Sequence, residues 1–129
     1  MLEYTGVDVV ASVIGQARSQ HPQWKFIEAD ALTDELPDAD LVLLKEITQH
    51  LSDVDILTLI ERLRKYPMVL HCSIRWERGV FTGLIREASG RETRGVSLSI
   101  PPFNLQTPLL GMWDFSGHTW FAELWRPNA

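Results

Sequence analysis

Three carboxylates stand where apolar runs of this sequence stop. Asp8 closes YTGVD, Asp30 follows WKFIEA, and the Lys45-Glu46 pair follows ADLVLL. Ligands of open parallel sheets bind outside the carboxyl ends of the strands, where such acids can accept hydrogen bonds from ribose hydroxyls and from an exocyclic amine. An acid in this position is usually preceded, about 20 residues earlier, by a glycine-rich turn whose backbone amides approach a phosphate or cofactor. Only seven residues precede Asp8, and none of the eight glycines sits in such a turn: Gly6 falls inside a strand signal and Gly15 inside a helix signal. His50, in KEITQHLS, is a candidate general base, and His71-Cys72 is a second pair of reactive types.

Each of these residues also has a plain structural use. Asp8 either holds a ribose or caps the helix expected to begin near Val10. Asp30 fits a turn as well as it fits a ligand. His50 either takes a proton or packs at the strand–loop junction against a backbone carbonyl, and without a nucleophile or orienting acid at a defined spacing the second reading is the expectation. His71 is expected in the core or on a cofactor face, and Cys72 as a small apolar filler. Asp8, Asp30, His50 and His71 offer no short metal-binding spacing, so no metal ligand is assigned; a metal-dependent hydrolase stays as the remotest alternative.

The elements that must carry these residues alternate. Residues 4–9 read as a strand, 12–19 as a helix with Val13, Ile14 and Ala17 at helical spacing, and 24–29 as a strand. Residues 39–44 form a near-continuous apolar strand of the kind covered on both faces. Ser52 or Asp53 caps a helix whose face is Ile56, Leu57, Ile60 and Leu63, and 68–73 is another buried strand. Such alternation specifies a parallel sheet with crossovers. Residues 74–95 are expected as a loop with a short helix around 82–88. Beyond the Pro101-Pro102 corner, residues 109–115 and 118–125 flank Ser116-Gly117 as an antiparallel hairpin.

Composition sets bounds on this scheme. The 129 residues suit one domain with a genuine core. A formal charge of −5 argues against nucleic acid and anionic membrane as partners. No apolar run is long enough to span a bilayer, no secretory leader is evident, and a single cysteine suits the cytosol. Trp113, Trp120 and Trp125, on the hairpin, favour association.

The succession YTGVDVVASVIGQA, WKFIEADAL, PDADLVLLKEITQHLS and MVLHCS resembles the middle of a class I S-adenosylmethionine-dependent methyltransferase. The C-terminal VSLSIPPFNLQTPLL and FAELW resemble one bacterial branch of that family. The resemblance implies Asp8 at the cofactor ribose, Asp30 and the Ala31 amide at the adenine, and Lys45, Glu46 and His50 near the methionine end and the substrate pocket, with Glu46 or His50 as proton acceptor. It also implies an α/β Rossmann-like sheet lacking the family's first strand and glycine-rich loop, mostly parallel, with a C-terminal antiparallel hairpin. The expected function is that of a degenerate methyltransferase-like module without catalysis on its own, acting through binding or self-association. The alternative is an active enzyme on a small-molecule or protein acceptor, its S-adenosylmethionine site completed by a partner chain or by upstream residues. Unpaired sheet edges then call for a homodimer or a partner chain.

Overall fold

A computed structural model describes residues 1–75 and 94–129. They fall into two compact units, Met1–Asp38 and Ala39–Ala129. The expected short helix around 82–88, together with Trp76 and Gly90, lies outside the described residues.

The first unit is a strand–helix–strand. β1 (Thr5–Asp8) pairs in parallel with β2 (Lys25–Glu28), and α1 (Ala11–Gln20) connects them. Gly6 lies opposite Phe26, and a Cβ at Gly6 would come within 2.6 Å of the Phe26 ring, so the close approach of the two strands requires glycine there. Tyr4 meets Trp24 and Phe26 edge to face, with ring centroids 5.9 and 6.2 Å apart. α1 ends at His21, whose N–H donates to the Ala17 carbonyl, directly before Pro22. Of the expected helix face only Ile14 is buried; Val13 is 46% exposed.

The second unit is a four-stranded mixed sheet ordered β3-β4-β6-β5, with β3 Val42–Lys45, β4 Val69–Ile74, β5 Leu109–Phe115 and β6 His118–Trp125. β3 and β4 are parallel, while β6 is antiparallel to both β4 and β5. Ser116 (φ 51°) and Gly117 (φ 79°) supply the two positive φ angles of a tight hairpin turn between β5 and β6. A 3-10 turn, Thr48–His50, leads from β3 into α2 (Asp53–Leu63). Ser52 caps α2 by accepting the Asp55 N–H at 3.1 Å, and Asp53 and Asp55 place negative charge in the first turn, where the helix dipole favours it.

Two sequence expectations need correction here. The buried stripe of α2 is Ile56, Leu59, Ile60 and Leu63, so Leu59 takes the place assigned to Leu57, which is 37% exposed. β3 is not covered on both faces: Leu44 is buried, whereas Leu43 is 55% exposed. An apolar run marks a strand but does not reveal how many layers cover it. The described strands form two sheets, β1-β2 and β3-β4-β6-β5. They nevertheless keep the parallel pairs and the closing antiparallel hairpin of the expected α/β scheme.

Candidate functional site

The adenosine-side candidates all lie in the first unit. Asp8 ends β1, and its Oδ1 accepts the Val10 N–H at 2.8 Å. Val10 itself occupies the cap position of α1 and provides no side-chain cap, so Asp8 serves the helix start from two residues before it. Two residues past β2, Asp30 folds a turn around itself. Its Oδ1 accepts the Leu32 N–H at 2.9 Å, its carbonyl accepts the Asp34 N–H at 2.8 Å, and its own N–H donates to Asp34 Oδ2 at 2.7 Å. Ala31 follows within that turn. Both acids thus stand at strand ends while already serving the backbone.

Lys45, Glu46 and His50 lie in the second unit, where β3 gives way to the 3-10 turn. Glu46 has φ 57°, a left-handed conformation that costs a non-glycine residue about 1–2 kcal/mol and is found preferentially at functional loops. Its N–H donates to the Cys72 carbonyl at 3.2 Å. Lys45 Nζ lies 3.9 Å from Glu46 Oε2, a loose pair between exposed side chains. His50 is exposed, and its N–H donates to the Ile47 carbonyl at 3.1 Å. Cys72, beside Lys45 in the β3–β4 register, has its thiol pushed up by partial burial, against a smaller lowering by the Lys45 charge. Such burial disfavours the thiolate, which is the reactive form.

The principal polar constellation was not foreseen. Glu123 on β6 is 2% exposed and accepts four hydrogen bonds: at Oε1 from the Leu98 N–H (2.7 Å) and His71 Nδ1 (2.8 Å), and at Oε2 from Thr107 Oγ1 (2.9 Å) and Ser97 Oγ (3.0 Å). His71 Nε2 lies 2.7 Å from Thr48 Oγ1. With a proton on Nδ1 and the Thr48 hydroxyl donating to Nε2, a neutral imidazole satisfies every member of the chain. The order Thr48–His71–Glu123 is that of a nucleophile, base and orienting acid. Thr48 and His71 are 1% and 0% exposed, however, so this chain of hydrogen bonds is closed to solvent. The network instead ties the 3-10 turn, β4, β6 and the segment around residues 97–107 together.

A second buried tie lies beside it. Arg94 Nη2 pairs with Asp53 Oδ1, which is fully buried, and donates to the Leu51 carbonyl at 3.0 Å, while the Arg94 N–H reaches the Gln49 carbonyl at 3.4 Å. Gln49, 6% exposed, keeps its Oε1 buried without a hydrogen-bond partner among the described residues. Nothing in the sequence singled out Glu123, Thr48 or Arg94, because their partners lie up to 52 residues away along the chain. Gln49 was passed over for its neighbour His50. Among the described residues no group of three or more His, Cys, Asp or Glu side chains is placed to hold a metal ion.

An S-adenosylmethionine molecule can be tested against these residues. Asp8 and Asp30 are acids at strand ends with carboxylate oxygen to spare, which suits the ribose and adenine end. Among the described residues no glycine-rich turn offers close-set amides to the methionine end. The described residues therefore do not make up a full cofactor site, and no transfer step is derived through one.

This arrangement of a parallel strand–helix–strand, a following mixed sheet and acids at the strand ends is that of a class I S-adenosylmethionine-dependent methyltransferase-like fold. The O-methyltransferase domain family matches residues 3–68, about half of the chain, and the chain belongs to that family. Solved structures agree on the fold. PH0226 protein from Pyrococcus horikoshii OT3 superposes with a TM-score of 0.65 at 13% identity, over 98% of this chain and 72% of that one. Human N-acetylserotonin methyltransferase in complex with SAM gives 0.64 at 20% identity, over 96% of this chain. The pyocyanin biosynthetic protein PhzM gives 0.65 at 15% identity, also over 96%. The chain spans 40% of the human enzyme and 43% of PhzM. No curated protein matches it by sequence. No described helix is long and apolar enough to cross a membrane.

Proposed function

We propose that this chain is a methyltransferase-like domain that does not transfer methyl groups by itself and acts through binding and self-association in the cytosol. The observation that carries this reading is the lack, among the described residues, of a glycine-rich turn beside Asp8 and Asp30. Asp8 and Asp30 retain the adenosine side, but several backbone hydrogen bonds to the methionine end have no donor here. At roughly 1 kcal/mol each, their loss lowers affinity by orders of magnitude. Titration calorimetry of the chain with S-adenosylmethionine and with its demethylated product tests the reading. The expected result is no saturable heat with millimolar ligand; micromolar binding at one site per chain overturns it.

One local feature favours a second reading, in which the chain is the acceptor-side part of an active enzyme completed by further residues or a partner. Glu46 holds a strained backbone, and Gln49 Oε1, three residues along the same turn, is a buried acceptor without a partner among the described residues. An orphaned buried carbonyl costs about 1–3 kcal/mol, which a donating ligand hydroxyl or amine would recover. Under this reading Glu46 or His50 takes the acceptor's proton. Restored methyl transfer on mixing with the missing part, abolished by Gln49→Leu, would select it over the first.

A further inference from the structure

We infer that Gln49 reads the methylation state of a small-molecule ligand: its side-chain carbonyl receives a ligand hydroxyl and turns away the corresponding methyl ether. The inference rests on the second reading above for the ligand-facing side of the turn, but it needs only binding and no transfer step. β3 and β4 run parallel, and residues 46–50 follow the carboxyl end of β3. That is the end at which open parallel sheets take their ligands.

The backbone around Gln49 is tied down on both sides. The Glu46 N–H donates to the Cys72 carbonyl at 3.2 Å, the Leu51 N–H to the Thr48 carbonyl at 3.1 Å, and the Arg94 N–H to the Gln49 carbonyl at 3.4 Å. Arg94 Nη2 holds the Leu51 carbonyl at 3.0 Å, and the Thr48 hydroxyl lies 2.7 Å from His71 Nε2. Gln49 Oε1 is left out: it is buried without a hydrogen-bond partner among the described residues, in a side chain that is 6% exposed. Buried polar atoms of native proteins are nearly always paired, and each exception calls for a reason. A fixed backbone carrying one unclaimed acceptor suits a preorganised binding group. Because Oε1 makes no bond to these residues, it gives none up when the amide turns to meet a ligand. The exposed residues Glu46 and His50 flank it on the same turn.

A carbonyl oxygen can only accept, so the ligand must bring an O–H or N–H. A carboxylate or phosphate would set negative charge against it. Membership of the O-methyltransferase domain family narrows the donor to a hydroxyl, whose alternative state is a methyl ether. The hydroxyl donates to Oε1. The ether has no proton to give, leaves Oε1 unpaired and brings a methyl group against it. Sites built to bond a hydroxyl reject analogues that lack one, because a buried polar group is then left unpaired.

Phenol and anisole test the inference, since the two probes differ only in a hydroxyl against a methyl ether. Binding is followed by nuclear magnetic resonance at the Gln49 side-chain amide of the isotope-labelled chain. The expected result is a saturable shift with millimolar phenol and binding of anisole about tenfold weaker, the worth of one hydrogen bond. Gln49→Leu is expected to abolish the preference; if that variant does not fold, the comparison of the two probes on the unaltered chain decides. Absence of a saturable shift with phenol, anisole binding as tightly as phenol, or a folded Gln49→Leu variant that still prefers phenol overturns the inference. Failure to restore methyl transfer on adding the missing part would overturn the second reading and leave a measured preference for phenol standing.

Discussion

Met1–Asp38 and Ala39–Ala129 are built from similar strand and helix signals but bury very different things. The buried apolar residues of the first unit are Ile14 and Ala29, and its strands have four residues each. The second unit buries Ile56, Leu59, Ile60, Leu63, Val69, Phe121 and Trp125 among others, and adds a closed polar network around Glu123. The first unit carries Asp8 and Asp30, the acids that the functional proposal offers to a nucleoside; the second carries most of the buried apolar residues. A unit of this small size has little core from which to draw stability.

The largest effect should come from Glu123→Ala. Removing this carboxylate leaves His71 Nδ1, Thr107 and the Leu98 N–H without their acceptor and Ser97 with Ser99 alone, and breaking a buried charged network of this kind costs about 3–5 kcal/mol. Urea denaturation followed by tryptophan fluorescence should show a loss of that size; a loss below ~1 kcal/mol would mean that the network is not what holds the second unit. Next comes Ile60→Ala, expected to cost about 2–5 kcal/mol, while Leu57→Ala, on the exposed side of the same helix, should cost well under half as much. Equal losses would deny the stripe assigned to α2.

Gly6→Ala should cost about 1–3 kcal/mol locally, because its Cβ meets the Phe26 ring. Hydrogen exchange should quicken in β1 and β2 and stay unchanged in β4 and β6. Quickening in both regions would show that the two units unfold together. The smallest effect concerns Cys72. Burial raises its thiol pKa in the folded chain, so the folded state favours the protonated form. The stabilising contribution is fully present below the ordinary thiol value of about 8.5 and is lost as pH rises through the higher folded value. Replacing Cys72 with Ala should flatten the alkaline edge of the stability profile; an edge of unchanged steepness would contradict this.

Much of the scaffold could be read from residues alone. The hairpin appeared with its strands and turn as expected, since Ser116-Gly117 meets a local demand for positive φ. The succession of strands and helices along the chain and the Ser52 cap likewise follow from short-range signals. What could not be read depends on tertiary context. Leu43 and Val13 have the same chemistry as buried residues, and only their layer leaves them exposed. His71 was placed in the core or on a cofactor face, and it lies fully buried. Its partners Thr48 and Glu123 lie 23 and 52 residues away, beyond any spacing rule. For Asp8 the structure displays the helix-supporting hydrogen bond directly, while its ribose role remains part of the functional proposal.

The most direct measurement is amide hydrogen exchange in the presence and absence of millimolar S-adenosylhomocysteine. The account predicts unchanged exchange at Asp8, Val10, Asp30 and Leu32, with β1 and β2 exchanging faster than β4 and β6 in both conditions. Ligand-dependent slowing at those four amides would show an occupied nucleoside site and contradict the claim that this chain alone lacks a working cofactor site.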